Sequence, residues 1–192
     1  MRRENNNHQN DLDEVTRFFS EALALFNEIQ SYLAPYEPTP QEALEPIIDT
    51  LKKLLREANK RKQPIVYEPG CGKGIAASKI APQLDAYYLC LEIDKNNVKK
   101  AREKCRDSGY LVEVIQGDLA SFYARRIDAV YAYLLPVAIE LLEKVLEPGT
   151  PIVSLDYYGS LEPVEEIELK GGTLYIIRVG EEKNKDSSEE RL

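Results

Sequence analysis

From Pro64 to Val179 the chain alternates short apolar runs with stretches of helical periodicity, and this alternation restricts the fold more than any other feature. Strands are predicted at Ile65 to Glu68, Tyr87 to Glu92, Leu111 to Ile115, Asp128 to Leu134 and Pro151 to Tyr157. Helices are predicted between them at Gly74 to Leu84, Asn96 to Ser108 and Val137 to Val145. Strands joined through helices lie parallel, and the crossovers cover both faces of the sheet. The end differs: Val164 to Leu169, Gly171-Gly172 and Thr173 to Val179 read as a β-hairpin, which adds antiparallel strands at one edge. The expected fold is α/β, a doubly wound, mostly parallel sheet with an antiparallel C-terminal hairpin.

Ahead of this core the texture is helical. Met1 to Asn10 is polar. Asp11 with Glu14 three residues on resembles a capping box. Leu12, Val15, Phe19, Ala22, Phe26, Ile29 and Leu33 then recur at spacings of three and four, one apolar seam on a helix ending near Ala34. Such a helix either lies on its own domain or serves self-association or a partner. Pro35, Pro38 and Pro40 end it and enforce an extended segment. Thr39 is expected to cap a second helix from Gln41 to Lys60, with Pro40 in its first turn. Glu181 to Leu192 is a charged tail with the composition of a disordered segment. The predicted organisation is a tail and amphipathic helix at 1–34, a core domain at 35–180 and a charged tail at 181–192.

Composition removes several function classes. The formal net charge is −8 and the pI about 4.9, so the broad basic surface behind non-specific binding to nucleic acid or anionic membrane is missing. A local patch of Lys52, Lys53, Arg56, Lys60, Arg61 and Lys62 is either a nucleic-acid contact or a solvated helix end. No apolar run is long enough to span a membrane, and the N-terminus is too polar for a signal peptide. Cys71, Cys90 and Cys105 form no CxxC pair, which argues against a disulfide framework or zinc site and fits a reducing, cytoplasmic setting. The one histidine, His8, lies in the polar tail, so a His-based triad or metal centre is not expected.

The chemistry is concentrated in three strand ends. Val66-Tyr67-Glu68-Pro69-Gly70-Cys71-Gly72-Lys73-Gly74 joins the first strand to a helix; its alternate glycines allow a sharp turn and close approach to a ligand, beside a helix N-terminus with unpaired N–H groups. Leu89-Cys90-Leu91-Glu92 ends a second strand in an acid 20 residues after Gly72, a spacing suited to ribose hydroxyls. Ile115-Gln116-Gly117-Asp118 ends a third, where an acid can accept an exocyclic adenine amine. Each feature alone also reads as an ordinary turn or solvated carboxylate; their joint position on one rim is the evidence. The spacing G-x-G-x-G with Glu68 inside it disfavours a pyrophosphate, which an acid would repel, and no P-loop is present. An acidic rim of Glu68, Glu92 and Asp118 instead suits S-adenosylmethionine, which carries an ammonium, a sulfonium, a ribose and an adenine but no phosphate.

Glu68-Pro-Gly-Cys-Gly-Lys-Gly74, Leu91-Glu92-Ile93-Asp94 and Gly117-Asp118 resemble the motifs of class I S-adenosylmethionine-dependent methyltransferases, whose core is seven-stranded and ends in a similar hairpin. More narrowly, Pro35-Tyr36-Glu37-Pro38-Thr39-Pro40, Tyr133-Leu134-Leu135-Pro136 and the stretch from Leu146 to Tyr157 resemble archaeal protein-lysine methyltransferases, small relatives of the Dot1 histone-lysine methyltransferase fold. The helix from Asp11 to Ala34 is a departure from the minimal members of that group. The resemblance implies a loop of Gly70, Cys71, Gly72 and Gly74 under the cofactor, with Glu68 at its methionine end and Glu92 on the ribose. It further implies that Asp118 and Leu119 set the adenine, that Thr39 and Tyr36 close over the methionine carboxylate, and that Tyr133 stands where methyl and acceptor meet.

A lysine acceptor must attack as the free base although its pKa in water is about 10.4, so a desolvating aromatic channel is required. Tyr36, Tyr133, Tyr157 and Tyr158 are candidate lining, and Asp156 is a candidate to orient the acceptor. After the fourth strand the chain lacks the [DN]-P-P-[YF] tetrapeptide of many methyltransferases acting on base amines or glutamine amides. The leading expectation is transfer of methyl to lysines exposed on protein substrates. The alternatives are an RNA or small-molecule methyltransferase and a non-catalytic cofactor-binding module.

Overall fold

The computed structural model describes Arg17 and residues 37–58, 63–106 and 112–180. The seam of the helix expected at Asp11 to Ala34, Tyr36, the cations Lys60, Arg61 and Lys62, and the tail from Glu181 lie outside the described residues. The chain divides between Glu37 and Pro38, and every strand and helix named below belongs to the unit that begins at Pro38.

That unit opens with a 3₁₀ turn, Gln41–Ala43, followed by helix α1, Leu44–Ala58. Thr39 does not cap it, contrary to expectation. Pro40 holds the cap position with no side-chain cap bond, and the turn closes through Ala43 N–H to the Pro40 carbonyl at 3.2 Å. The Thr39 hydroxyl is engaged elsewhere, as described below. Leu44, Ile47, Leu51 and Leu54 bury one stripe of α1. Thr50, also buried, returns its hydroxyl to the Pro46 carbonyl at 2.8 Å, which spares the core an unpaired polar group.

Strands β1 (Ile65–Pro69), β2 (Tyr87–Glu92), β3 (Val112–Gln116), β4 (Ala129–Ala132) and β5 (Pro151–Leu155) are parallel neighbours; β6 (Glu165–Leu169) and β7 (Gly172–Arg178) form the hairpin. The order is β3-β2-β1-β4-β5-β7-β6. The hairpin is folded inward: its second strand, β7, pairs antiparallel with β5, and β6 becomes the edge. Only β7 therefore runs against the rest. The order reverses between β1 and β4, which makes the carboxyl ends of these two strands a topological switch point, where ligands of such sheets bind.

Helices α2 (Ile75–Ile80), α3 (Lys95–Arg106) and α4 (Pro136–Val145) complete the unit. Strand alternation sorts the core into two layers. On one face Val66, Tyr88, Cys90, Ala129, Tyr131, Val153 and Leu174 meet the apolar stripes of α1, α2 and α3. On the other, Tyr67, Leu91, Val130, Ile152 and Ile177 meet Ile139, Leu142 and Val145 of α4 together with the segment around Ala124 and Ile127. Fully burying one such aliphatic side chain is worth about 1.5–3 kcal/mol, so the layers supply the driving force that helix propensity alone does not. Helix α2 is shorter than predicted because Pro82 forces its continuation into a 3₁₀ turn, Ala81–Gln83.

Candidate cofactor and active site

The three strand ends singled out in the sequence are brought together. Residues Pro69 and Leu91 are partners across β1 and β2, and Glu92 and Gln116 across β2 and β3. The loops that follow therefore leave the same edge of the sheet from adjacent strands.

The loop after β1 holds Gly70, Gly72 and Gly74 at φ 68°, 55° and 70°, a left-handed conformation that residues with a Cβ rarely adopt. Gly70 and Cys71 both donate to the Leu91 carbonyl, at 2.7 and 3.1 Å, and Gly74 donates to the Cys71 carbonyl at 2.9 Å. Gly72 donates to Glu92 Oε2 at 2.7 Å. These loop N–H groups are thus committed within the protein. What the loop offers a ligand is close backbone approach. The third glycine also has a packing duty: a Cβ at Gly74 would lie 3.0 Å from the Ala101 Cα and 3.2 Å from Cys105 Sγ, so glycine here lets α2 and α3 come together.

Each acid of the rim has a distinct local role. Glu92 is buried and divides its carboxylate between the glycine loop and its own turn, accepting from Gly72 through Oε2 and from Asp94 N–H through Oε1 at 2.8 Å. Asp118 is exposed and opens the 3₁₀ turn Leu119–Ser121, accepting from Ala120 N–H at 3.0 Å, which fixes Leu119 beside it. Glu68 is buried on the α1–α3 face, where Tyr88 donates to its Oε2 at 2.7 Å. Burial pushes the Glu68 carboxyl up to about 8; the Tyr88 hydrogen bond opposes that rise and the nearby Glu92 charge adds to it. The cysteines gather beneath the same loop. A hydrogen bond with Cys71 and then burial push the Cys90 thiol well up, and burial pushes Cys105 to about 11.

On the β4 and β5 side of the switch point lies a second group. Tyr131 in β4 is buried, and its phenol meets the Thr39 hydroxyl at 2.6 Å across 92 residues of sequence. Burial raises this phenol far above its ordinary value; the Thr39 bond opposes that, and Glu68, Tyr133 and Asp156 lie near enough to add to it. Tyr133, just past β4, is half-buried against the α1–α3 layer. Asp156, just past β5, stands at φ 63°. It is held there by reciprocal bonds to the hairpin: its N–H donates to the Thr173 carbonyl at 2.8 Å, and its Oδ1 accepts from Thr173 N–H at 2.9 Å. Tyr157 and Tyr158 follow, exposed, with Tyr158 edge-on to Tyr175 at 4.7 Å between ring centroids.

The expected site residues that are described, Thr39, Glu68, Gly70, Cys71, Gly72, Gly74, Glu92, Asp118, Leu119 and Tyr133, all fall on this rim or on the segment bonded to it. Two features escaped sequence reasoning. Tyr88 and Tyr131 read as strand aromatics, yet each carries a buried hydroxyl to a rim residue. Ile93, directly after Glu92, is a large aliphatic left 51% exposed at the rim; its signal was an apolar residue placed in a turn after a strand has ended. Of the expected basic patch, Lys53 is paired with Glu165 of β6 at 3.1 Å, and Arg56 turns back to the Lys52 carbonyl.

Comparison with known proteins agrees with this geometry. A family model described as a methyltransferase domain matches residues 66–149. No curated protein matches the chain. Among solved structures, an RNA methyltransferase from Salinibacter ruber in complex with S-adenosyl-L-homocysteine is 32% identical over 78% of this chain and 98% of its own, with a TM-score of 0.62. A SAM-dependent methyltransferase from Aquifex aeolicus is 14% identical, covers 69% of this chain and 97% of its own, and superposes with a TM-score of 0.52. An acidic, phosphate-averse rim around a close-approach glycine loop fits the cofactor those proteins use. The chain belongs to the class I S-adenosylmethionine-dependent methyltransferases.

Proposed function

We propose that the chain transfers methyl from S-adenosylmethionine to the side-chain amine of lysine in protein substrates. The observation that carries this reading is the makeup of the β4–β5 end of the rim. Tyr133 leaves the end of β4, and Asp156, Tyr157 and Tyr158 leave the end of its parallel neighbour β5; the Asp156 carboxylate pairs with no lysine or arginine among the described residues. Aromatic faces and one unneutralised acid are a receptor for an ammonium group. The Pro-rich segment through Thr39 and the Tyr133-Leu134-Leu135-Pro136 stretch support the narrower likeness to archaeal protein-lysine methyltransferases.

In this reading Gly70, Cys71, Gly72 and Gly74 underlie the cofactor. Glu68 receives its ammonium, Glu92 its ribose, and Asp118 with Leu119 its adenine, against the apolar surface of Ile93. Thr39 closes on its carboxylate. Bound S-adenosylmethionine supplies a methyl carbon activated by the adjoining sulfonium, so the protein need only position, orient and exclude water. Tyr133 and Asp156 gather the incoming lysine as its ammonium. The tyrosine lining then desolvates it, which favours the neutral amine, and the released proton passes to solvent. With the amine so held by Tyr133 and Asp156, its lone pair would form the new C–N bond while the electrons of the C–S bond stayed on sulfur.

The Salinibacter relative is named an RNA methyltransferase, which favours RNA as a second reading. The net charge of −8 and the neutralisation of Lys53 by Glu165 weigh against it. Incubation with methyl-labelled cofactor and separate protein and RNA pools decides the matter. Label recovered as methyl-lysine is expected; label in RNA alone overturns the proposal.

A further inference from the structure

We propose that Tyr131 is a positioning residue for the cofactor: its buried phenol latches Thr39 over the rim so that the Thr39 hydroxyl presents its own proton to the cofactor carboxylate. The inference rests on the cofactor placement proposed above, but assigns a role to a residue that touches neither cofactor nor acceptor.

Three observations combine. First, Tyr131 is almost fully buried, and its hydroxyl partner is Thr39, at 2.6 Å. A buried phenol without a partner is costly, so the strand holds Thr39 as firmly as Thr39 holds the strand. Second, Thr39 has a single proton and two lone pairs. Burial and the surrounding acidic groups keep Tyr131 protonated. When Tyr131 donates to Thr39, the Thr39 proton is left to give, and no other described group takes it. Third, Thr39 lies between prolines in Pro38-Thr39-Pro40, with no side-chain cap bond at the turn that follows; the Pro40 carbonyl is tied to that turn by Ala43 N–H. The turn fixes the chain at Pro40, and the bond to Tyr131 ties the Thr39 hydroxyl to β4, next to the switch point. Tyr131 in β4 lies between β1, which carries Glu68, and β5, which ends at Asp156, so the latch stands between the proposed cofactor end and acceptor end.

The test uses the full chain and S-adenosylhomocysteine, with affinity read by titration calorimetry. Thr39→Val, which keeps the shape and removes the hydroxyl, is expected to weaken binding roughly tenfold, the worth of one hydrogen bond to a charged group. Thr39→Ser should stay within about twofold of the parent, and Tyr131→Phe should weaken binding about three- to tenfold by loosening the segment. The double variant should bind no more weakly than Thr39→Val alone, because the two residues act as one unit. KM for the methyl donor should rise with these losses while kcat at saturating donor holds, a split that a merely structural role would not produce. Tyr131→Phe with unchanged affinity beside a weakened Thr39→Val overturns the latch but leaves the cofactor placement standing. Unchanged affinity in Thr39→Val overturns both. If Tyr131→Phe fails to fold, equal losses in Thr39→Ser and Thr39→Val overturn the proposal, since the hydroxyl would then be irrelevant.

Discussion

Glu68 carries the sharpest consequence of single-residue chemistry. Its carboxyl is buried beside Tyr88 and titrates near 8 rather than at its ordinary 4.5. The folded state therefore holds the proton more tightly than the unfolded chain. The stability contributed by this group is complete below about 4.5 and disappears as pH rises through about 8. Thermal denaturation without cofactor should show a midpoint that falls across this window, and Glu68→Gln, a permanently neutral mimic, should flatten that fall. A cofactor ammonium placed beside Glu68 has the opposite preference, because it favours the carboxylate. Binding should then release a proton near neutral pH, seen as a dependence of calorimetric heat on the buffer's ionisation enthalpy. Glu68→Gln should lose that dependence and bind roughly tenfold more weakly. Equal proton release in the variant would remove Glu68 from the cofactor's ammonium. Sequence alone placed this acid at the end of a strand inside a glycine loop, since both facts are local. It could not supply Tyr88, because the pairing of β1 with β2 brings the two together across 20 residues.

The elements were legible where a local signal ends them and blurred where a tertiary contact does. The β2 boundaries are those expected, since Glu92 and the turn after it mark the end chemically. Strands β4 and β5 are each shorter than their apolar runs suggest, because Tyr133 and Asp156 leave the ladder for the rim. The hairpin was recognisable from Gly171-Gly172, but not its inward fold, which depends on β7 matching the buried face of β5. That placement gives Gly172 a task the turn does not require. A Cβ there would lie 2.2 Å from Asp156 Oδ1, on the bond that ties Asp156 to Thr173. Gly172→Ala should therefore displace the Asp156 carboxylate and cost about 0.5–1.5 kcal/mol of stability, the net worth of one part-buried hydrogen bond. If Asp156 gathers the acceptor, KM for the protein substrate should rise while affinity for S-adenosylhomocysteine holds. A loss of cofactor affinity of the same size would show instead that the hairpin supports the whole rim.

At the scale of the molecule, the unit from Pro38 contains the complete sheet, both core layers and the described part of the rim. A domain of about 150 residues buries roughly 68–70% of the surface its unfolded chain exposes, enough for a stable core without an added helix. From sequence, the seam from Leu12 to Leu33, which lies outside the described residues, is expected either to lie on its own domain or to serve association. Removing residues 1–34 retains Tyr36 and the Pro-rich segment. The shortened chain should bind S-adenosylhomocysteine within about twofold of the parent, the spread expected when distant sites are independent. Sedimentation should show a smaller species than the full chain if the helix pairs with a second copy. Loss of cooperative unfolding in the shortened chain would place the seam in the core instead. The net charge bears on the same experiment, because it persists after truncation. Residues 1–34 contain Arg2, Arg3 and Arg17 against Glu4, Asp11, Asp13, Glu14, Glu21 and Glu28, so the remainder stays acidic. An acidic unit attracts lysine-rich protein segments by long-range steering, an effect that salt weakens. If the acceptor is a basic protein, as proposed, methylation by either form should slow with rising ionic strength, through KM rather than kcat, whereas transfer unaffected by salt would assign recognition to short-range contacts alone.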